Sequence, residues 1–465
     1  IYLAMLNFIF LRNTSSMTIK ISLTLCILIF LLKVFSIFFT NFDLFGDEAQ
    51  YWAWSKELDF GYYSKPPLLA WLIAFFTIIF GDNFEAIKII PSLIYLMSTC
   101  VIYMISLKLF KNSKEALLTS LIFYLLPAVT VSSFLISTDV LLVLFWSLSL
   151  FFMLMIRENP KIKNFIILGI FLGLAFLTKY AAIYFVLSAF IIILIDVRLK
   201  NIFLQQKKYF VVSFLVILLI AAPNIIWNFQ NNWITFSHTS DNAALNRVGF
   251  NLSNGLEFIA AQFLMLGPIS LLLFLVFFKK NKLTFETKFL LSFSLPIFLI
   301  IFVESILVRA NANWAAVGII PVFLLMVEHM YRLSKKTIIY NNILNFIICG
   351  VLFSLIIFSS NLKFFDRING IADFAKNLET NYLTEFDYLV IEDRLLLSNM
   401  SYQLRNTNKK ILTPFNPKNK IKSHFHITKP LTSRHNKKFI FIGNPTSLKY
   451  LEKKYETKKK DVIKV

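Results

Sequence analysis

Two adjacent carboxylates, Asp47-Glu48, stand about eight residues beyond the end of a long apolar run. They are followed by Tyr51-Trp52, by Gly61-Tyr62-Tyr63 and by Lys65-Pro66-Pro67-Leu68. A carboxylate at a membrane edge can take the proton of an attacking hydroxyl, provided its surroundings set its pKa suitably. A cation such as Lys65 suits a phosphate at the headgroup level and equally suits an ordinary lipid anchor. Acidic pairs are common in solvated loops. The stretch is therefore a candidate site that other residues must support.

Further polar residues interrupt the apolar chain. Asp139 follows Ser137-Thr138, where it fits a helix N-cap as well as a site acid. Lys179 sits inside the apolar stretch 165–195, and an ionisable group within a membrane is a functional candidate unless it snorkels to the surface. Lys65, Lys179 and Arg309 together offer enough positive charge to neutralise a phosphate leaving group. Trp227-Asn228-Phe229-Gln230, with His238 beyond it, and Asn311-Ala312-Asn313-Trp314 place amides beside aromatic side chains. The Trp residues fit an aromatic belt, whereas amides at a membrane boundary need partners, which sugar hydroxyls supply. Tyr62, Tyr63, Asn228, His238 and Asn313 are the candidate sugar or acceptor contacts. A lone His such as His238 is more often structural. No spacing of metal ligands stands out.

The elements that must position these residues are membrane helices. The 465 residues are 57% hydrophobic and 16% charged, and mean hydropathy is +0.68. Apolar runs recur from end to end, the pattern of a polytopic membrane protein. Lys and Arg exceed Asp and Glu by 47 − 26 = 21. That excess lies in short loops beside the spans and in the C-terminal hundred residues, so nucleic acid is not the expected partner. Cys26, Cys100 and Cys349 each fall inside an apolar run and imply neither a disulfide framework nor a zinc site. The 52 Phe read mostly as lipid-facing filler.

Span-length runs occur at 19–39, 87–110, 116–136, 139–156, 209–227, 256–278, 288–308, 313–330 and 342–360, and 165–195 divides into two short helices at Lys179. The run 67–80 is too short and begins at Pro66-Pro67, which suits a helix lying in the interface. That gives about eleven spans. The loops 111–115, 157–164, 196–208, 279–287 and 331–341 then share one side and hold 15 Lys and Arg, against five in the opposite short segments, which marks that side as cytoplasmic. Asp47, Glu48, Asp139, Lys179 and Arg309 fall on the other side. Residues 1–18 form a short N-terminal segment and 19–360 the membrane domain, with 40–86 as its first external loop. In 361–465 the short runs 388–391 and 439–442 read as buried strands, with helices at 394–405 and 446–456, a small external α/β domain.

The motifs Asp47-Glu48-Ala49-x-Tyr51-Trp52, Gly61-Tyr62, Lys65-Pro66-Pro67-Leu68, Thr138-Asp139, Gly173-Leu174-Ala175-x-Leu177-Thr178-Lys179, Trp227-Asn228-x-Gln230-x-x-Trp233 and Ala312-Asn313-Trp314 occur in an order that resembles one family. It is the bacterial branch of the dolichyl-phosphate-mannose-protein mannosyltransferase-like superfamily, with the lipid A aminoarabinose transferase and lipopolysaccharide galacturonosyltransferases. The resemblance covers residues 20 to about 330. It implies an all-α polytopic C-type glycosyltransferase fold with interfacial helices, a polyprenyl-phosphate-linked sugar donor, a glycolipid acceptor and inversion at the anomeric carbon, on the periplasmic face of the inner membrane. It implies Asp47 as the catalytic carboxylate, Asp139 as a second site acid, and Lys65 as a donor-phosphate contact with Lys179 beside it. It leaves a divalent metal open, and Ala312 stands where relatives often carry Pro or His. An O-antigen ligase or polymerase, and a lipid-linked sugar flippase, are the alternatives. A flippase would call for polar residues at mid-membrane on paired halves.

Overall fold

The structure, a computed structural model, describes residues 17–40, 43–243, 249–269, 272, 283–333, 335–358, 370–414, 421–432, 435 and 438–454. The chain forms two compact units, one of Ile1–Thr40, Asp59–Gly61 and Lys65–Ile357, the other of Asn41–Leu58, Tyr62–Ser64 and Phe358–Val465.

The first unit is helical because a long continuous apolar segment in a membrane satisfies its own backbone groups by coiling into a helix. Among the described residues six helices are long and apolar enough to cross: Met17–Phe39, Phe84–Phe110, Thr138–Glu158, Lys207–Gln230, Phe285–Leu307 and Lys336–Ile357. Tyr180–Ile195 with Val197–Gln205 makes a seventh if that pair, bent by 105°, is one span, and shorter apolar helices include Leu68–Phe80, Ile162–Thr178 and Leu252–Leu266. The eleven runs read from hydropathy are thus not eleven unbroken helices. The run 116–136 splits into Ser113–Tyr124 and Pro127–Ser132, the second starting at a proline that has no N–H to continue the ladder. The stretch 165–195 breaks at Lys179, where φ −159° and ψ 132° are extended. The segment 196–208, read as a loop, contains helix Val197–Gln205, capped by Asp196 accepting from the Leu199 N–H at 2.8 Å. The run 256–278 passes in part outside the described residues.

Close approach of two helices depends on missing side chains. Helix Ile162–Thr178 packs on Lys207–Gln230, and a Cβ at Gly169 would lie 2.6 Å from the Ser213 carbonyl oxygen. A Cβ at Gly173 would lie 2.9 Å from Ile220 Cβ, so this small-xxx-small face brings the backbones together. Trp146, Phe185 and Phe293 build a buried aromatic centre, with ring centroids 5.0 and 4.8 Å apart in turn. Phe therefore forms core as well as lipid face. Lys108 meets Glu158 at 2.5 Å, and Arg157 donates to both oxygens of Asp196 at 3.1 and 3.2 Å. These pairs gather the loops after Phe110, Glu158 and Ile195 at one end of the unit. Asp139 begins the 21-residue helix that Arg157 and Glu158 finish, so it lies a full helix length away, roughly 30 Å.

The second unit holds a three-stranded parallel sheet in the order β2-β1-β3, with β1 Tyr388–Ile391, β2 Lys410–Leu412 and β3 Phe439–Ile442. Leu389, Val390 and Ile391 of the central strand are fully buried, the continuous apolar run expected of a parallel strand. Helices Arg394–Gln403 and Pro445–Lys454 follow β1 and β3. Strand β2 had no sequence signal, being three residues that begin with a lysine. Helix Gly46–Ser55 also belongs to this unit and packs on Arg394–Gln403, although hydropathy assigns residues 40–86 to the membrane domain. Trp52 meets Tyr402 edge to face at 5.0 Å, and a Cβ at Gly46 would lie 3.0 Å from Leu395 Cβ.

Candidate active site

The acidic pair separates into two roles. Glu48 is 1% exposed, and its Oε2 accepts from the Phe45 N–H at 2.9 Å, capping its own helix from the third position. Asp47, one residue earlier, leaves its side chain 49% exposed. The first turn of a helix favours a carboxylate electrostatically. Nearby, Arg394 Nη1 lies 3.7 Å from Asp47 Oδ1 and donates to Gln50 Oε1 at 2.6 Å. Of the two, only Asp47 presents an accessible proton acceptor.

A third carboxylate in the same unit escaped the sequence reading. Asp43 Oδ2 accepts from the Ile371 and Ala372 N–H groups at 2.9 and 3.2 Å, and Gln403 donates to Oδ1 at 2.6 Å. It closes the start of helix Ile371–Asn381. Burial pushes its carboxyl above the usual range, while the two backbone N–H bonds pull the other way. Its sequence signal was only an Asp near Asp47, because the helix that it caps begins 328 residues later.

Tyr62 and Tyr63, the expected sugar contacts, turn their phenols to backbone. Tyr62 is fully buried, stacks on Trp54 at 4.7 Å and donates to the Trp54 carbonyl at 3.0 Å. Tyr63 donates to the Ile421 carbonyl at 3.2 Å. His424 packs edge-on against both Trp54 and Tyr62, at 5.8 and 4.9 Å, and burial followed by the charge of Lys429 pushes its pKa down to about 4.

In the first unit Asp139 is 8% exposed and both its oxygens are engaged. Lys179 Nζ donates to Oδ1 and Asn313 Nδ2 donates to Oδ2, each at 2.6 Å. Its side chain does not serve as the helix cap; Ser137 holds that position. Lys179 neither snorkels nor stands alone, since the helix break at Thr178 turns it toward Asp139. The 3₁₀ turn Ala312–Ala315 carries Asn313 and is held by Gln262, which donates to the Ala312 carbonyl at 3.0 Å. Arg309 is exposed, Lys65 is half-buried, and His238 is half-buried on helix Ile234–Ala243.

Asn228 belongs to a second network. It donates to Tyr180 Oη at 3.1 Å, and Tyr180 donates to Asn224 Oδ1 at 2.9 Å. Asn224 in turn donates to the Phe60 carbonyl at 2.7 Å, and Trp227 Nε1 donates to Asp59 Oδ2 at 2.6 Å. Asn224, Tyr180 and Asp59 were not singled out from sequence, although Asn224 and Asn228 are one turn apart and Tyr180 follows Lys179. Together they fix residues 59–61 to the end of helix Lys207–Gln230. Gly61 is required there, because a Cβ would come within 2.3 Å of the Trp227 ring. Among the described residues no three His, Cys, Asp or Glu side chains gather as a metal site.

Residues 64–227 match the family model described as dolichyl-phosphate-mannose-protein mannosyltransferase. The chain is 32% identical over 393 residues to the lipid A galacturonosyltransferase RgtD of Rhizobium johnstonii, covering 82% of this chain and 81% of that one. It is 30% identical over 189 residues to the undecaprenyl phosphate-alpha-4-amino-4-deoxy-L-arabinose arabinosyl transferase of Wigglesworthia glossinidia brevipalpis, covering 36% of this chain and 33% of that one. Among solved structures, ArnT from Cupriavidus metallidurans bound to undecaprenyl phosphate superposes with a TM-score of 0.63 at 14% identity, over 85% of this chain and 86% of that one. The apo form of the same protein gives the same TM-score and identity, over 87% and 86%. At that identity the likeness speaks for the fold.

Proposed function

The chain belongs to the dolichyl-phosphate-mannose-protein mannosyltransferase-like superfamily of membrane glycosyltransferases, and we propose on that premise that it moves one sugar from a polyprenyl-phosphate donor to an envelope glycolipid such as lipid A. Asp47 takes the proton of the acceptor hydroxyl as its oxygen bonds to the anomeric carbon. The bond from that carbon to the phosphate oxygen breaks, polyprenyl phosphate leaves with the electron pair, and the anomeric configuration inverts. Lys65 and Arg309 are the cations assigned to the phosphate. Lys179, already paired with Asp139, contributes to the positive field there. Asn228, Asn313 and His238 are assigned to sugar or acceptor hydroxyls. In this reading the apolar segments make eleven passes, the basic loops 111–115, 157–164 and 196–208 lie in the cytoplasm, and the site faces the periplasm of the inner membrane.

The observation that carries the reading is the contrast within the acidic pair. Glu48 is buried as a cap, and Asp47 beside it is left open on a short rigid helix. Asp47→Asn is expected to abolish transfer while expression and insertion remain normal; full activity in that variant removes the base. Mass spectrometry of envelope glycolipids with and without the gene names the sugar and the acceptor from the missing mass.

A further inference from the structure

We propose that Arg394 is a positioning residue for the transfer reaction, holding the Asp47 carboxylate in its working orientation. The C-terminal segment would then supply part of the catalytic apparatus. This rests on Asp47 being the base. Arg394 contacts helix Gly46–Ser55 at two points: its Nη1 donates to Gln50 Oε1 at 2.6 Å and stands 3.7 Å from Asp47 Oδ1. Asp47 and Gln50 are three residues apart and so share a helix face. Gln50 is 4% exposed and neutral, so it anchors the guanidinium without competing for its charge. The longer contact, at 3.7 Å, falls on Asp47 Oδ1 and sets the angle of its carboxylate, leaving Oδ2 to take the proton.

The surroundings make that placement rigid. Asp393 caps the Arg394 helix by accepting from the Leu395 and Leu396 N–H groups at 3.0 and 2.8 Å. Leu395 presses on Gly46, Tyr402 on Trp52, and Gln403 donates to Asp43. The two helices are thus fastened on both sides of Asp47. An ion pair with side chains 42% and 49% exposed adds little to folding. What the arrangement does provide is a fixed cation and a fixed angle beside the reactive carboxylate, and small errors in such an angle weigh heavily on rate.

The test uses full-length enzyme in nanodiscs. The donor is the fraction of polyprenyl-phosphate-linked sugars extracted from the host, and the acceptor is the glycolipid fraction of a host strain lacking the gene. Arg394→Gln is expected to lower kcat about 10- to 100-fold, with both KM values within about twofold and Tm unchanged. Arg394→Lys should recover part of the loss, and Asp47→Asn with Arg394→Gln should be no slower than Asp47→Asn alone. An unchanged kcat overturns the proposal. So does a rise in KM alone, which would make Arg394 a substrate contact, and so does a loss of Tm without rescue by Lys, which would make it structural. If Asp47→Asn is fully active, the assignment of the base fails; if Asp47→Asn is dead and Arg394→Gln behaves as wild type, only the present inference fails.

Discussion

Lys179 and Asp139 are 40 residues apart in the chain and 2.6 Å apart in the structure, with side chains 15% and 11% exposed. Buried pairs are expensive to desolvate and are poor devices for stability alone, but removing one partner strands a charge. Asp139→Ala is expected to destabilise the enzyme by about 3 kcal/mol and to abolish transfer. Asp139→Ala with Lys179→Met should unfold at a higher temperature than Asp139→Ala alone, as read by thermal unfolding in detergent.

The acidic pair should divide by function. Glu48→Gln keeps an acceptor for the Phe45 N–H, so it should retain at least about a third of wild-type activity, since general base catalysis is untouched. Glu48→Ala should cost about 1 kcal/mol by loss of the cap. Asp47→Asn should lower turnover by about 100-fold or more with little change in Tm. Initial rates and melting curves for the three variants check this.

Gly169→Ala must push against the Ser213 carbonyl oxygen at 2.6 Å, and backbone cannot swing aside. A loss of about 1–3 kcal/mol follows from overpacking. Gly350 lies within helix Lys335–Ile357 with no atom within 4 Å of an added Cβ. Gly350→Ala should therefore stabilise by about 0.5–1 kcal/mol through helix propensity. Opposite shifts in thermal unfolding are the expected result.

His424 gives the second unit a pH dependence. Its folded pKa of about 4 is below the ordinary 6.5, so between those values the unfolded chain binds a proton that the folded one excludes. Stability is complete above pH 6.5 and declines as pH falls toward 4, by up to about 3 kcal/mol. His424→Leu should flatten that decline. The comparison is the fall in Tm between pH 7.5 and pH 5 for the two proteins.

Much of the architecture is written in short windows of sequence. Apolar run lengths give the long helices, Lys179 marks its helix break, and 388–391 and 439–442 announce two strands. The break at Pro127 is hidden from hydropathy because the composition of 116–136 looks continuous through it. A three-residue strand such as Lys410–Leu412 is too short for any periodicity to show.

What the sequence by itself determined is therefore the class of the molecule and the pool of polar residues from which a site can be drawn. Only the tertiary structure decided how those residues are used: Glu48 as a cap and Asp47 left open, Asp139 shared between Lys179 and an asparagine 174 residues away, Tyr62 buried against Trp54, and residues 41–58 joined to the C-terminal unit. The physical reason is one of range. Helix and strand preferences, and partition into a membrane, depend on neighbours within a turn or a span. The exposure of a carboxylate and the identity of its hydrogen-bond partner depend on which distant segments fold against it.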